Sequence, residues 1–360
     1  MTAAPEGPRD RLAAIPAYRA GRRAPDGAYK LSSNENPFPP LPGVLAAIGD
    51  LAAEVNRYPD FASTALVDAL SARHGVDRAA LAVSTGSVAV LQAVCAAYAG
   101  HGDEVVFAWR SFEAYPIVVA LCGATAVPVA LRDDETHDLP AMADAITDRT
   151  RVVIVCSPNN PTGAVVDADA LRDFLARVPT HVLVVLDEAY VEFVRNAHAV
   201  DGLSLLAGRG NLVVLRTFSK AFGLAGLRVG YGVAAEPIAT TIRKAQTPFG
   251  VSTVAERAAL ASLAAEPELL DRVDVIVRER IRVVERLREI GCPVGDSQAN
   301  FVWLRLGPDA VAFAAACEEA GIVVRPFTDE GVRVTIGEPP ANDLLLDVAE
   351  RRRDLVARPR

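Results

Sequence analysis

The chain has 360 residues, 51% of them apolar, and a formal net charge of -8. That length supports two domains and a large core, while no apolar run is long enough for a membrane span and no basic cluster suits nucleic acid. Five scattered cysteines without C-x-x-C spacing and five histidines without ligand spacing point to core thiols in a reducing cytoplasm and to no metal site.

Residues 1 to about 35 read as an irregular arm rich in Pro, Arg and Gly, with no apolar signal segment at its start. From about residue 45 to 245 strand-like and helix-like segments alternate, which predicts an α/β unit with a mostly parallel sheet between helices. Leu81-Ala82-Val83-Ser84-Thr85-Gly86-Ser87-Val88 reads as a strand end, a glycine turn and a helix start, and a helix N-terminus offers open N–H groups to an anion. The β-branched run 151–156 ends in the turn chemistry of Ser157-Pro158-Asn159-Asn160-Pro161-Thr162-Gly163. The apolar run 181–186 leads into Asp187-Glu188-Ala189-Tyr190, and the run 212–215 leads into Arg216-Thr217-Phe218-Ser219-Lys220. Residues 246–252 break the alternation, and a long helical stretch follows, charged over 266–290. Short strands near 300–306, 321–325 and 331–336 complete a smaller α+β part expected to close over the site. Arg351-Arg352-Arg353 reads as a solvated helix face or tail. We therefore expect an arm contributing to the small domain over 1–44, a large domain over 45–250 and a small C-terminal domain over 251–360.

The three apolar runs read as strands buried on both faces, hence parallel. Ligands bind at the carboxyl ends of such strands, so Asn160, Asp187 and Lys220 are expected to meet at one ligand. A lysine at such a strand end is desolvated, which favours the free amine that attacks carbonyls. Ser219 beside it and Arg228 eight residues on would hold a phosphate, and an imine-forming lysine beside a phosphate site suggests pyridoxal phosphate. Asp187 would keep a pyridine nitrogen protonated, and Asn160 and Tyr190 would donate to a ring oxygen, Tyr190 lying one turn on if a helix starts at Asp187. Each feature alone has a plain structural explanation; their joint position on three successive strands does not.

With these residues assembled, the chain resembles the fold-type I pyridoxal-phosphate aminotransferases from about residue 18 to 337. It looks most like the branch that holds histidinol-phosphate aminotransferase and the actinobacterial aromatic amino acid aminotransferases. The resemblance rests on Leu31-Ser32-Ser33-Asn34-Glu35-Asn36-Pro37, Arg57-Tyr58-Pro59-Asp60, the 157–163 turn, Asp187-Glu188-Ala189-Tyr190, Ser219-Lys220 and Gly226-Leu227-Arg228-Val229-Gly230. It implies that Lys220 links covalently to the cofactor and then shuttles the substrate proton. It implies a phosphate cup of Gly86, Ser87 and Val88 with Thr217, Ser219 and Arg228, and Phe112 stacked on the ring. It implies a homodimer in which Tyr58 reaches the neighbouring site. The substrate acid would dock on Arg333, with Arg325 the second candidate, and Tyr18 and the 34–36 segment, including Asn36, would line the pocket. Trp109-Arg110-Ser111-Phe112-Glu113-Ala114-Tyr115-Pro116 looks like the aromatic branch. The expected reaction is ping-pong transfer of an amino group from an aromatic L-amino acid to 2-oxoglutarate, with histidinol phosphate as the alternative substrate. A phosphoamino-acid decarboxylase and a ligand sensor without turnover are weaker readings, and Gly230-Tyr231-Gly232 lacks the third glycine of a dinucleotide fingerprint.

Overall fold

The computed structural model describes residues 10–357 apart from 14, 16, 18–20 and 52. In chain order its strands are β1 (Tyr29–Lys30), β2 (Leu81–Ser84), β3 (Glu104–Trp109), β4 (Thr125–Ala130), β5 (Thr150–Cys156), β6 (Leu183–Asp187), β7 (Leu212–Thr217), β8 (Gly230–Ala234), β9 (Phe301–Leu304), β10 (Ile322–Val323), β11 (Arg325–Phe327) and β12 (Gly331–Thr335).

Seven of them form one sheet in the order β2-β8-β7-β6-β5-β3-β4. The neighbours from β4 to β7 are parallel, as their continuous apolar sequences require. Side chains alternate between two buried faces. Val105, Phe107, Val152, Ile154, Val185 and Val213 pack under the helices Ser87–Tyr98, Ala114–Cys122 and Glu236–Lys244. Val106, Val153, Val155, Val184, Leu186 and Val214 pack under Leu139–Asp144 and Ala168–Arg177. Truncating a fully buried leucine such as Leu186 to alanine costs about 2–5 kcal/mol. The edge strand β4 is half-exposed and carries Pro128, a residue that edges tolerate.

One strand departs from this pattern. β8 runs antiparallel between β7 and β2. A Cβ on its Gly230 would lie 2.5 Å from the Ser87 nitrogen, so glycine is what lets the strand and the helix start approach.

The C-terminal part builds around an antiparallel sheet, β11-β12-β9. β1 pairs in parallel with β10, Tyr29 opposite Ile322, which sets this piece of the arm beside the C-terminal strands. The stretch read as one long helix is two, Thr253–Ala264 and Glu266–Ile290, because Pro267 suits only a first turn. The longer one buries Leu269, Val273, Ile276, Val277, Val283 and Leu287 as a single stripe and stops at Gly291, which takes φ 96°. The predicted strand over 321–325 is split at Val324 into β10 and β11. Arg351 and Arg353 are exposed at the end of the helix Pro339–Arg351 and just beyond it. Among the described residues no helix is long and apolar enough to cross a membrane.

Candidate active site

β5, β6 and β7 end side by side, with Cys156 opposite Asp187 and Asp187 opposite Leu215. A cavity of about 200 Å³ opens at these ends, walled by Asn160, Asp187, Tyr190, Thr217, Ser219 and Lys220. Ser87, Val88, Phe112, Arg228, Arg325 and Arg333 also line it, as does the arm through Ser32, Ser33 and Asn34. Three strands thus deliver the groups that the sequence placed at their ends.

Lys220 is half-buried. Its Nζ donates to the carbonyls of Ser33 and Asn34 at 3.3 and 3.2 Å and lies 5.6 Å from the Tyr190 ring centre. Burial drives its pKa down to about 7; Arg333 and Arg228 push the same way, and Glu35 and Asp187 oppose them. Near neutral pH much of this amine is therefore unprotonated. Asp187 is buried, and burial pushes its carboxyl up, while hydrogen bonds from Tyr115 and the Ala189 N–H and the charge of Lys220 pull it back. The Tyr115 hydroxyl donates to Asp187 Oδ2 at 2.9 Å from a ring with no exposure. Sequence reasoning missed Tyr115. Its signal was a tyrosine three residues after Phe112, at the start of a helix leading away from the cleft.

Beside the amine lies a receptor for an anion. Gly86 takes φ 100°, and no side chain of the described residues caps the helix that starts at Ser87; the Ala89 N–H turns back to the Gly86 carbonyl at 3.0 Å, which leaves the Ser87 and Val88 N–H groups for an anion. A Cβ on Gly86 would meet the Arg228 guanidinium at 2.9 Å. Arg228 itself sits in the left-handed region at φ 56°, with its Nη1 on the Ala225 carbonyl at 2.9 Å and within 3.4 Å of Ser219 Oγ. Such strain in a non-glycine residue is characteristic of functional sites. Thr217 Oγ1 and Ser219 Oγ, 3.0 Å apart, bring two hydroxyls to the same place. An uncapped helix start, two hydroxyls and a guanidinium suit a phosphate dianion.

Two arginines enter from the C-terminal sheet. Arg333 Nη1 donates to Asn160 Oδ1 at 2.6 Å, and its Nη2 donates to the Ser32 carbonyl at 2.8 Å. Arg325 Nη2 donates to both oxygens of Glu113. The arm is bound into the same network. Thr335 N donates to Leu31 O at 2.9 Å, Asn34 N to Thr335 Oγ1 at 2.9 Å, and Asn300 Nδ2 to Asn34 O at 3.1 Å. Asn34 Nδ2 also donates to the Tyr190 hydroxyl at 3.0 Å.

Two sequence expectations, the helix at Asp187 and Asn36 at the cavity, meet a different placement. No α-helix starts at Asp187. Glu188 turns inward instead, accepting from Gly202 N at 2.6 Å and from Arg216 at 2.9 and 3.0 Å, and the chain reaches Tyr190 through a turn. Asn36 is not among the cavity's wall residues; its Nδ2 donates to the Ala221 carbonyl at 2.9 Å behind Lys220, and Asn34 takes the cavity side. Tyr58 is 82% exposed, outside the cavity wall, with its ring 4.8 Å from that of Phe249. Tyr18 lies outside the described residues.

The model of the aminotransferase class I and II family matches residues 27–348. An aromatic amino acid aminotransferase of Streptomyces coelicolor is 59% identical over 345 residues, covering 95% of this chain and 96% of that one. One of Thermobifida fusca is 56% identical over 344 residues, covering 95% and 96%. Among solved structures, a histidinol-phosphate aminotransferase from Sinorhizobium meliloti in complex with pyridoxal-5'-phosphate is similar with a TM-score of 0.87 at 28% identity, covering 98% of this chain and 99% of that one.

Proposed function

The chain belongs to the class I and II aminotransferases, and on that premise we propose that it uses pyridoxal 5'-phosphate to pass the amino group of an aromatic L-amino acid to 2-oxoglutarate, giving an aromatic 2-oxo acid and L-glutamate. The observation that carries the reaction is an amine with a pKa near 7 in the same cleft as a buried carboxylate and an anion receptor. The aromatic substrate is supported by the names of relatives 59% and 56% identical over nearly the whole chain; the histidinol-phosphate enzyme stands at 28%.

In this reading the cofactor phosphate is held by Gly86, Ser87, Val88, Thr217, Ser219 and Arg228. Phe112 covers the ring, Asp187 pairs with its nitrogen, and Asn160 and Tyr190 bind its oxygen. When bound, pyridoxal phosphate supplies a sink for the electron pair left on the substrate α-carbon. Lys220 Nζ takes the proton from that carbon. Arg333 grips the substrate carboxylate bidentately, and its bond to Asn160 ties that grip to the ring site. A homodimer is supported by exposed Tyr58, Phe61 and Phe249, an aromatic patch that a second copy would cover, with Tyr58 joining the partner's phosphate site. We place the protein in the cytoplasm and divide it into an arm contributing to the small domain (1–44), a large domain (45–250) and a small domain (251–360), a division supported by the β1–β10 pairing.

The test is a half-reaction. The cofactor-loaded protein is mixed separately with phenylalanine, tyrosine and histidinol phosphate, and the cofactor absorbance is followed. Fast change with the two aromatic amino acids and slow change with histidinol phosphate is expected. The reverse order overturns the substrate, and no change with any amine overturns the reaction.

A further inference from the structure

We propose that Glu135 is a positioning residue for substrate binding: by holding the Trp303 indole it fixes the C-terminal sheet where Arg333 reaches the substrate carboxylate, on the reading above that Arg333 makes that grip. Trp303 on β9 and Arg333 on β12 are direct cross-strand partners, so their side chains leave one face of the sheet together. The indole is packed against its own sheet. It meets the Phe327 ring edge-on at 5.4 Å, and it crosses Gly331, where a Cβ would come within 2.7 Å of Cζ2. Only 4% of Trp303 is exposed. A ring so tightly packed keeps its place relative to Arg333. Its N–H reaches away from the sheet and donates to Glu135 Oε1 at 2.9 Å.

Glu135 belongs to the seven-stranded part, in the turn between β4 and the helix Leu139–Asp144. Two backbone bonds close that turn, Glu135 N on Arg132 O at 2.9 Å and Arg132 N on Thr136 O at 3.0 Å. Glu135 takes φ 65°, a left-handed conformation that costs a non-glycine residue free energy and recurs at functional sites. The residue acts in two directions. Its carbonyl accepts from Thr162 Oγ1 at 3.2 Å, Thr162 Oγ1 accepts from Asn159 Nδ2 at 3.0 Å, and Asn159 Oδ1 accepts from Ser111 Oγ at 2.7 Å. Ser111 precedes Phe112 and Asn159 precedes Asn160, the two residues read as covering and binding the cofactor ring. The Glu135 backbone therefore braces the ring site, and its carboxylate braces the sheet that carries Arg333. Arg305 Nε also stands 4.0 Å from Oε1, an exposed pair that adds little.

Truncating the side chain should weaken carboxylate binding and leave cofactor binding alone, a split that general loosening of the fold would not produce. The test titrates the holoenzyme with 3-phenylpropionate and the apoprotein with pyridoxal phosphate, following the cofactor spectrum in both. Glu135→Ala should weaken 3-phenylpropionate roughly 5- to 10-fold, the scale of one hydrogen bond, with cofactor affinity within about 2-fold of the wild type. Glu135→Gln keeps an oxygen for the indole N–H and should recover most of the loss. Unchanged 3-phenylpropionate binding, equal loss of both ligands, or a Gln variant as weak as the Ala variant overturns the proposal. If Glu135→Ala does not accumulate folded, Trp303→Phe decides: it keeps a packed ring and removes the donor, so the same selective loss supports the role and its absence overturns it. Arg333→Gln separates the proposal from the reading beneath it. If that variant loses 3-phenylpropionate while Glu135→Ala does not, the role of Glu135 falls and the Arg333 grip stands; if Arg333→Gln binds like the wild type, the grip itself falls and Glu135 with it.

Discussion

Replacing Lys220 by methionine should stabilise the cofactor-free protein at low pH. Folding lowers the Lys220 pKa from 10.5 to about 7, which at 1.36 kcal/mol per pH unit amounts to about 5 kcal/mol against the charged form. Solvent reaches part of this side chain, so we halve that figure to about 2–3 kcal/mol. The sign follows from proton counting. Between pH 7 and 10.5 the unfolded chain holds a proton that the folded chain has released, so stability rises with pH across that window. Below pH 7 both states hold the proton, and the full penalty stands. Urea unfolding of both proteins at fixed concentration, from pH 6 to 10, should show Lys220→Met ahead by about 2–3 kcal/mol at pH 6 and the gap closing toward pH 10. A gap constant across that range, or a wild type more stable at pH 6, would refute the reasoning. The same depressed pKa leaves about half the amine free at pH 7, against about 1 in 3,000 for an ordinary lysine. Stability at acid pH is thus lower so that the nucleophile is ready.

Tyr115→Phe removes a buried donor to Asp187, a bond to a charged acceptor worth about 1.5–3 kcal/mol, so kcat/KM should fall about 10- to 100-fold. With that donor gone burial pushes the Asp187 carboxyl further up, and the acid limb of the kcat/KM profile should move to higher pH; an unshifted limb would show that Tyr115 only fills space. Glu188→Gln strands Arg216 behind the strand ends, and breaking such a buried pair costs about 3–5 kcal/mol, to be read from the denaturant midpoint. A loss under 1 kcal/mol would mean that Asp201 compensates alone.

The arrangement of Asn160, Asp187 and Lys220 was legible because continuous apolar strands admit few arrangements, and each run ended in a polar group. What could not be read depends on contacts made far along the chain. Tyr115 meets Asp187 across 72 residues, and Asn34 meets Tyr190 across 156; no local pattern announces either. The helix considered at Asp187 gives way to a turn in which Glu188 reaches a partner on β7. The antiparallel direction of β8 was hidden too, since Gly230-Tyr231-Gly232 carries little periodic signal and its direction is set by the close pass at Ser87. The division of labour between Asn34 and Asn36 depends on which side of Lys220 the arm crosses, a matter of tertiary path.

The hydrogen bonds that tie residues 31–34 to Arg333, Thr335 and Asn300 have a consequence for recombination between relatives. They join residues 31–34 and the C-terminal strands into one inheritable unit. A chimera that exchanged only the C-terminal third would pair a foreign β12 with a native arm, leaving Lys220 facing carbonyls positioned for another partner. Transplanting specificity would require moving both ends together, with the middle of the chain as the constant platform.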